Sequence, residues 1–160
     1  MNDTNSGIKP VSHGAILKTI WKNLDLGTLD RNHPFHTPVI GTIGDGVPEL
    51  RMVVLRRFWR KPATLAFHVH LGSPKVAQIR ENPNVCWLFY QPHERFQLRI
   101  HATATVHTEG ELHEEQWIAT ELFSRRCYIG EAPTQIRDKP TTGLPGNLVD
   151  RNPTPEESET

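Results

Sequence analysis

The sequence predicts a single α+β domain with a small antiparallel β-barrel of about six strands at its centre. Short segments rich in β-branched and aromatic residues, separated by turn signals, follow one another over residues 38–107. Helical patterns flank them at 12–27 and 109–126. Hairpin-type connections outnumber any that could be a βαβ crossover, which favours an antiparallel arrangement.

Length and composition limit the protein classes that need to be considered. A chain of 160 residues is long enough for one domain with a core. Its formal net charge is zero, with 22% charged residues, so the basic excess of a nucleic-acid binder is absent. No apolar run approaches the roughly 18 residues of a membrane span, and the N-terminus lacks the apolar core of a secretory signal. We therefore expect a cytoplasmic protein without nucleic-acid or membrane partners.

The N-terminal part predicts one helix followed by a loop. Residues 1–11 are polar, and we expect them to be disordered. A helix over 12–27 is predicted, with Ser12 as the N-cap and Gly27 as the stop. Two prolines and several polar residues predict a loop over 30–38. The apolar stripe of the helix consists of Ile16, Leu17, Ile20, Trp21 and Leu24.

Strand patterns dominate from residue 38 onwards, with one short helix between them. The glycine-rich segment 44–46 indicates a hairpin turn. Ser73 as N-cap and Pro74 as first residue predict a helix over 73–81. The apolar run 85–90 is typical of a strand buried on both faces. The predicted strands are 38–43, 49–59, 64–70, 85–90 and 96–107.

The C-terminal third predicts a second long helix and then irregular chain. Residues 109–126 have an acidic first turn and end on Arg125 and Arg126, which matches the helix dipole at both ends. Residues 131–160 are rich in proline and polar residues and end in an acidic tail, so we expect an extended or disordered segment. The predicted domain therefore covers 12–130.

Two arginines flank a β-branched run in the segment RMVVLR, residues 51–56. In an extended chain Arg51 and Arg56 point to opposite faces, unless a twist or a bulge intervenes. Arg51 could bind a phosphate through two parallel hydrogen bonds. The alternative is that both arginines are ordinary solvent-facing strand residues.

The segment FHVHLGSPK, residues 67–75, leads from a strand into the N-terminus of the short helix. A helix N-terminus offers free N–H groups to an anion, to which Ser73 adds a hydroxyl and Lys75 a positive charge. The alternative is a normally capped helix with a solvated lysine.

Histidine pairs and an amide on a strand are weaker candidates. His68 and His70 share a strand face, but no third ligand is evident, so we predict no metal site. Gln97 lies on the polar face of its strand, with Arg99 and His101, and its amide could contact the edge of a heterocyclic ring. The alternative for Gln97 is simple solvent exposure.

Three segments together resemble a known family. RMVVLR, FHVHLGSPKVAQIRENPNVCWLF and RFQLRIHATATV have the order and spacing of the flavin mononucleotide (FMN)-binding domain of the pyridoxamine 5'-phosphate oxidase-like family. The resemblance covers residues 37–130. It implies a split β-barrel and a homodimer with FMN at the subunit interface.

The resemblance also implies roles for individual residues. Arg51, Ser73 and Lys75 would bind the phosphate, and Arg56 would lie near the flavin ring, where the family often has lysine. Backbone groups of 53–54 and 68–69, and the side chain of Gln97, would contact the ring system. The complete implied FMN set is Arg51, Met52, Val53, Val54, Leu55, Arg56, His68, Val69, Ser73, Lys75 and Gln97.

Two departures from the family pattern shape the functional expectation. The oxidases commonly carry Ser-Arg-Lys where this chain has Ser73-Pro74-Lys75, so one phosphate-binding arginine is missing. A C-terminal segment with a tryptophan and an arginine–histidine pair has no counterpart, and Arg125 is the candidate for substrate binding. This pattern predicts a shorter or broader relative rather than a true oxidase.

The function expected from the resemblance is that of an FMN-dependent oxidoreductase with an undefined small-molecule substrate. One alternative is a non-enzymatic flavin- or haem-binding module, in which His68 or His70 could be an axial ligand. Another is a structural dimer that has lost its ligand.

Overall fold

The computed structural model describes residues 12–134 and 136–158, so the N-terminal segment 1–11 lies outside the described residues. The fold is α+β with a mostly antiparallel sheet, as predicted, and the described residues form four α-helices where three were predicted. Within the described ranges, no helix has the length and hydropathy to cross a membrane. The helices are α1 (His13–Leu29), α2 (Pro74–Glu81), α3 (Glu111–Ile118) and α4 (Leu122–Ile129). The strands are β1 (Val39–Gly44), β2 (Val47–Met52), β3 (Arg57–Arg60), β4 (Ala63–Ala66), β5 (Asn84–Gln91) and β6 (Phe96–Thr103).

Four strands form one sheet in the order β2-β1-β5-β6, and β3 pairs with β4 in an antiparallel ladder that sets Arg57 opposite Ala66. The turn between β1 and β2 has two residues, Asp45 and Gly46, with φ angles of 50° and 76°. Positive φ at both central residues is the requirement of a type I′ hairpin turn, so the hairpin predicted at 44–46 is confirmed.

Contacts divide the chain into two compact units. Of the described residues, the first unit contains 12–38, 52–67 and 88–99, and the second contains 39–51, 68–87 and 100–158. The first unit has an aromatic core, in which the buried ring of Phe35 lies 4.8 Å from that of Phe89. In the second unit α2 packs on β1, and the buried apolar side chains there are Ile40, Val76, Ile79, Val85, Trp87 and Leu148.

Helix α1 begins where predicted, because the Ser12 side chain accepts a hydrogen bond of 3.2 Å from the Ala15 N–H. Its predicted end at Gly27 is wrong, since the helix continues to Leu29. A Cβ atom on Gly27 would lie 2.8 Å from the carbonyl carbon of Phe35. Glycine is therefore required by close packing against the following loop and does not terminate the helix.

The long strand predicted over 49–59 is wrong, because β2 ends at Met52 and β3 begins at Arg57. Between β2 and β3 the backbone N–H groups form hydrogen bonds to other segments of the chain, so one β-ladder does not continue through these residues. The N–H groups of 53, 55 and 56 donate to the carbonyls of Pro38, His36 and Ala66 at 3.0, 2.8 and 2.8 Å. The strand predicted over 64–70 is likewise shorter, since β4 ends at Ala66.

The long helix predicted over 109–126 is wrong, because α3 ends at Ile118 and α4 begins at Leu122. The Arg125 guanidinium donates to the carbonyls of Thr120 (3.0 Å) and Ile118 (3.3 Å). These carbonyls lie at the end of α3, where a helix leaves acceptors unsatisfied. The Arg125 side chain of α4 thus stabilises a break between two helices, although the helical periodicity of the sequence predicts one continuous helix.

In strand β5 every second residue is buried, and in β6 half-buried residues alternate with exposed ones. For β6 this alternation was predicted, although the strand ends at Thr103 and not at residue 107. For β5 the prediction of burial on both faces is wrong within this single chain, because Tyr90 is 56% exposed. One face of β5 is therefore less covered than its apolar sequence suggests.

The described part of the C-terminal segment has little regular secondary structure and packs in part on α4. Two short 3-10 turns lie at Gly146–Leu148 and Glu156–Ser158, and Leu148 and Ser158 are buried. The Arg126 guanidinium donates to the Val149 carbonyl. The domain boundary at residue 130 stays a prediction.

Candidate functional site

A polar cluster in the second unit surrounds Arg51, near the end of β2. The guanidinium donates to Thr42 Oγ1, to the Glu49 carbonyl (3.1 Å), to Glu49 Oε2 (2.8 Å) and to Gln78 Oε1 (3.1 Å). Thr42 and Gln78 are buried, and the Thr42 hydroxyl donates to Gln78 Oε1 at 2.6 Å. Because Gln78 belongs to α2, Arg51 is connected directly to that helix.

The N-terminus of α2 provides the second half of the site. Pro74 occupies the first turn, and the buried Ser73 is the N-cap residue without making a side-chain capping bond. Its Oγ atom instead accepts a 2.6 Å hydrogen bond from Lys75 Nζ. The predicted start of this helix is therefore confirmed, and the Ser73 hydroxyl is directed towards Lys75.

Lys75 and Arg51 are close enough to affect one another electrostatically. Burial lowers the pKa of Lys75 below its usual value, and the positive charge of Arg51 lowers the pKa further. We call Arg51, Ser73 and Lys75 the cationic cluster. Two neighbouring positive charges with a directed hydroxyl group form an arrangement that an anion would stabilise.

The ring-side residues predicted in the first unit have mixed surroundings. The amide N–H groups of Val53, Leu55 and Arg56 are used in the hydrogen bonds given above, so they are not available to a ligand. The Nε atom of Arg56 is buried and has no hydrogen-bond partner among residues 12–134 and 136–158. Val54 is half-buried, while Met52 and Gln97 are exposed.

The segment after β4 places the two predicted histidines in different surroundings. The His70 Nδ1 atom accepts from the Gly72 N–H at 3.0 Å, so Nε2 carries the hydrogen and donates to the Gly130 carbonyl, also at 3.0 Å. His68 lies 3.4 Å from Thr120 Oγ1 through its Nδ1, and its ring meets that of Tyr128 edge-on. Val69 between them is half-buried. With both nitrogens engaged, His70 is a poor candidate for a haem ligand.

The described part of the chain brings together no group of three His, Cys, Asp or Glu side chains that could hold a metal ion. Arg125, the candidate for substrate binding, is buried and donates a third bond of 2.8 Å to Ser158 Oγ. Its guanidinium also lies 4.9 Å from the centre of the Trp117 ring. These contacts favour a structural role for Arg125 over substrate binding.

Sequence reasoning missed three residues around Arg51. Glu49 lies two positions before Arg51 on the same strand face, a spacing that could have indicated an ion pair. Gln78 is a polar residue on the buried face of α2, and Thr42 is a polar residue in an apolar strand. Such buried polar residues need partners, so their pairing could have been expected, although the partner could not have been named.

Comparison with protein-family models shows to which family this chain belongs. The family model described as pyridoxamine 5'-phosphate oxidase matches residues 33–142, which is more than half of the chain. The chain belongs to the pyridoxamine 5'-phosphate oxidase family. The resemblance inferred from the sequence is therefore confirmed.

Curated members of this family match over limited segments. The pyridoxine/pyridoxamine 5'-phosphate oxidase of Nitrobacter winogradskyi is 33% identical over 67 residues, which are 42% of this chain and 30% of that protein. The protein of the same name from Leptospira interrogans is 33% identical over 61 residues, covering 38% of this chain and 28% of that protein. The matched segment thus spans about 30% of the length of these relatives.

Two solved structures related to the family share the fold. A pyridoxamine 5'-phosphate oxidase-related, FMN-binding protein from Nostoc punctiforme superposes with a TM-score of 0.61 at 20% identity, over 84% of this chain and 71% of that one. PhzG from Burkholderia lata, solved with tetrahydrophenazine-1-carboxylic acid, gives a TM-score of 0.58 at 18% identity, over 82% of this chain and 63% of that one.

Proposed function

We propose that this chain binds FMN, with the phosphate group on the cationic cluster, and that it is a flavin-dependent oxidoreductase. One observation carries the proposal: the Arg51 guanidinium, bonded to α2 through Gln78, and the Lys75 ammonium at the N-terminus of α2 lie close together. Family membership and the FMN-binding neighbour from Nostoc punctiforme support a flavin as the ligand.

The donor set fits a phosphate monoester. A dianion would compensate the positive charges of Arg51 and Lys75, and it would accept from the Ser73 hydroxyl. The N-terminal end of α2 adds the positive end of a helix dipole. The lowered pKa of Lys75 also favours an anion at this place, since a neighbouring negative charge would offset the effects of burial and of Arg51 on the charged amine.

The flavin-ring contacts follow from the resemblance and stay predictions. A buried donor without a partner costs about 1–3 kcal/mol, so Arg56 Nε would gain from an acceptor on a ligand. Val54, His68, Val69 and Gln97 are the other proposed ring contacts. FMN would supply the redox chemistry, while these residues would bind and orient it. The substrate is proposed only as a small molecule.

A homodimer and the split barrel are part of the same proposal. The edge strand β2 exposes Val47 and Leu50 at 60% and 72%, and a two-fold dimer would cover such apolar side chains. Sedimentation equilibrium should give the mass of two chains, and a stable single-chain mass at micromolar concentration would contradict the dimer.

The proposal is tested by comparing FMN with riboflavin, which has the same ring system but no phosphate. Flavin fluorescence titration should show that FMN binds more tightly by about 100-fold or more, since the phosphate would gain charge-assisted contacts from both Arg51 and Lys75, at about 1.5–3 kcal/mol each. The absorbance spectrum of the purified protein adds an independent result, because a Soret band would indicate haem. Equal affinities for FMN and riboflavin would contradict the phosphate site.

The oxidoreductase part needs its own measurement. FMN-loaded protein is mixed anaerobically with pyridoxamine 5'-phosphate or with NADPH. Loss of the visible absorbance of the bound flavin would show that this class of reductant reduces the flavin, which is the first half of an oxidoreductase cycle. A bound flavin that no tested reductant or oxidant changes would instead favour a non-enzymatic flavin-binding module.

A further inference from the structure

The carboxylate of Glu49 lies directly on the guanidinium to which the phosphate is assigned. Its Oε2 atom is 2.8 Å from Arg51 Nη2. The side chain of Glu49 is 49% exposed, whereas that of Arg51 is only 20% exposed. The acidic group is therefore the more accessible member of the pair.

The terminal N–H groups of Arg51 are fully used in this arrangement. Each terminal nitrogen carries two hydrogens. Those of Nη2 donate to Gln78 Oε1 and Glu49 Oε2, and those of Nη1 donate to Thr42 Oγ1 and the Glu49 carbonyl. A phosphate oxygen that bonds a terminal nitrogen of Arg51 must therefore displace one of these acceptors.

Among these acceptors, the Glu49 carboxylate is the one that a phosphate would displace. Thr42 and Gln78 are buried and bond one another, so their positions are fixed. The Glu49 carbonyl is part of the strand backbone. The Glu49 carboxylate is exposed, and its negative charge would repel a phosphate bound at any N–H of Arg51.

The fold also provides space for this carboxylate. A Cβ atom on Gly44 of β1 would lie 3.0 Å from Glu49 Oε1 and 2.5 Å from Gln78 Nε2. The absence of a side chain at Gly44 thus allows the carboxylate and the glutamine amide to reach Arg51 together.

We propose that Glu49 is an intramolecular competitor for the phosphate on Arg51 and thereby sets the affinity for FMN. The inference rests on the proposed function, since it concerns the same anion site. Phosphate binding releases the Glu49 carboxylate into solvent, and ligands that lack a phosphate leave the ion pair intact.

The variant Glu49→Gln tests this role, because glutamine keeps the size and an acceptor oxygen but removes the charge. Exposed ion pairs are weak, so the gain in FMN affinity should be modest, roughly two- to fivefold. Riboflavin affinity should stay the same. Both ligands are titrated by flavin fluorescence, and inorganic phosphate is titrated by calorimetry.

Glu81→Gln is the matched control, since it removes the same charge from an exposed residue at the C-terminal end of α2. FMN affinity that is equal in Glu49→Gln and wild type would overturn the inference, and so would an equal gain for riboflavin. Should neither protein bind FMN, the proposed function fails. The phosphate titration then still decides the role of Glu49, because equal phosphate affinities of the variant and wild type would contradict it.

Discussion

The double replacement Arg51→Gln/Lys75→Met is expected to weaken FMN binding by about 100-fold or more. Each side chain would lose a charge-assisted interaction with the phosphate, of about 1.5–3 kcal/mol, and about 1.4 kcal/mol corresponds to a factor of ten. Riboflavin affinity should change by less than about twofold, because riboflavin has no phosphate for the two replaced groups to bind. Flavin fluorescence titration with both ligands measures the two effects.

The fold should survive this replacement, since the Thr42–Gln78 hydrogen bond of 2.6 Å does not depend on Arg51. Thermal unfolding checks that point. Arg80→Gln/Lys18→Met is the matched control, because it changes the same residue types at two exposed helix positions. If both double variants lost FMN equally, net charge would explain the effect. Retained FMN affinity in Arg51→Gln/Lys75→Met would show that the phosphate binds elsewhere.

Arg125→Met is expected to lower the free energy of unfolding by about 3 kcal/mol. The substitution leaves the carbonyls of Ile118 and Thr120 and the buried Ser158 hydroxyl without their donor, and each unsatisfied buried group costs about 1–3 kcal/mol. The stacking of the guanidinium on Trp117 is also lost. Urea denaturation followed by circular dichroism measures the change.

The same variant separates the structural role of Arg125 from substrate binding. Arg99→Met on β6 is the control, because Arg99 is exposed and its removal should change stability by less than about 0.5 kcal/mol. Unchanged stability of Arg125→Met, together with weaker binding of a small anionic substrate, would restore the substrate role expected from the sequence.

The local features of the fold were predictable because neighbouring residues determine them. Ser12 caps α1, Ser73 and Pro74 begin α2, and the glycine-rich turn closes the hairpin of β1 and β2. The breaks in the chain were not predictable in the same way. The interruption at 53–56 depends on carbonyls that lie far away in the sequence.

A similar distinction applies to the candidate site. Residue types and the resemblance identified Arg51, Ser73 and Lys75, but spacing alone could not show that Arg51 and Lys75 lie close together. That proximity depends on α2 packing against β1 through Gln78. Glu49 was missed because a charged strand residue is usually just solvated, and only the folded structure shows that its carboxylate contacts the guanidinium.

The lowered pKa of Lys75 has a consequence for proton linkage. Without a ligand, the pKa of the Lys75 amine is lower in the folded chain than in the unfolded chain, where the pKa is 10.5. Stability of the empty protein should therefore increase as the pH rises from the lowered pKa towards 10.5. Association with a phosphate favours the ammonium form, so at alkaline pH complex formation should take up protons. Calorimetry in buffers of different ionisation enthalpy would detect this uptake, and Lys75→Met should abolish it.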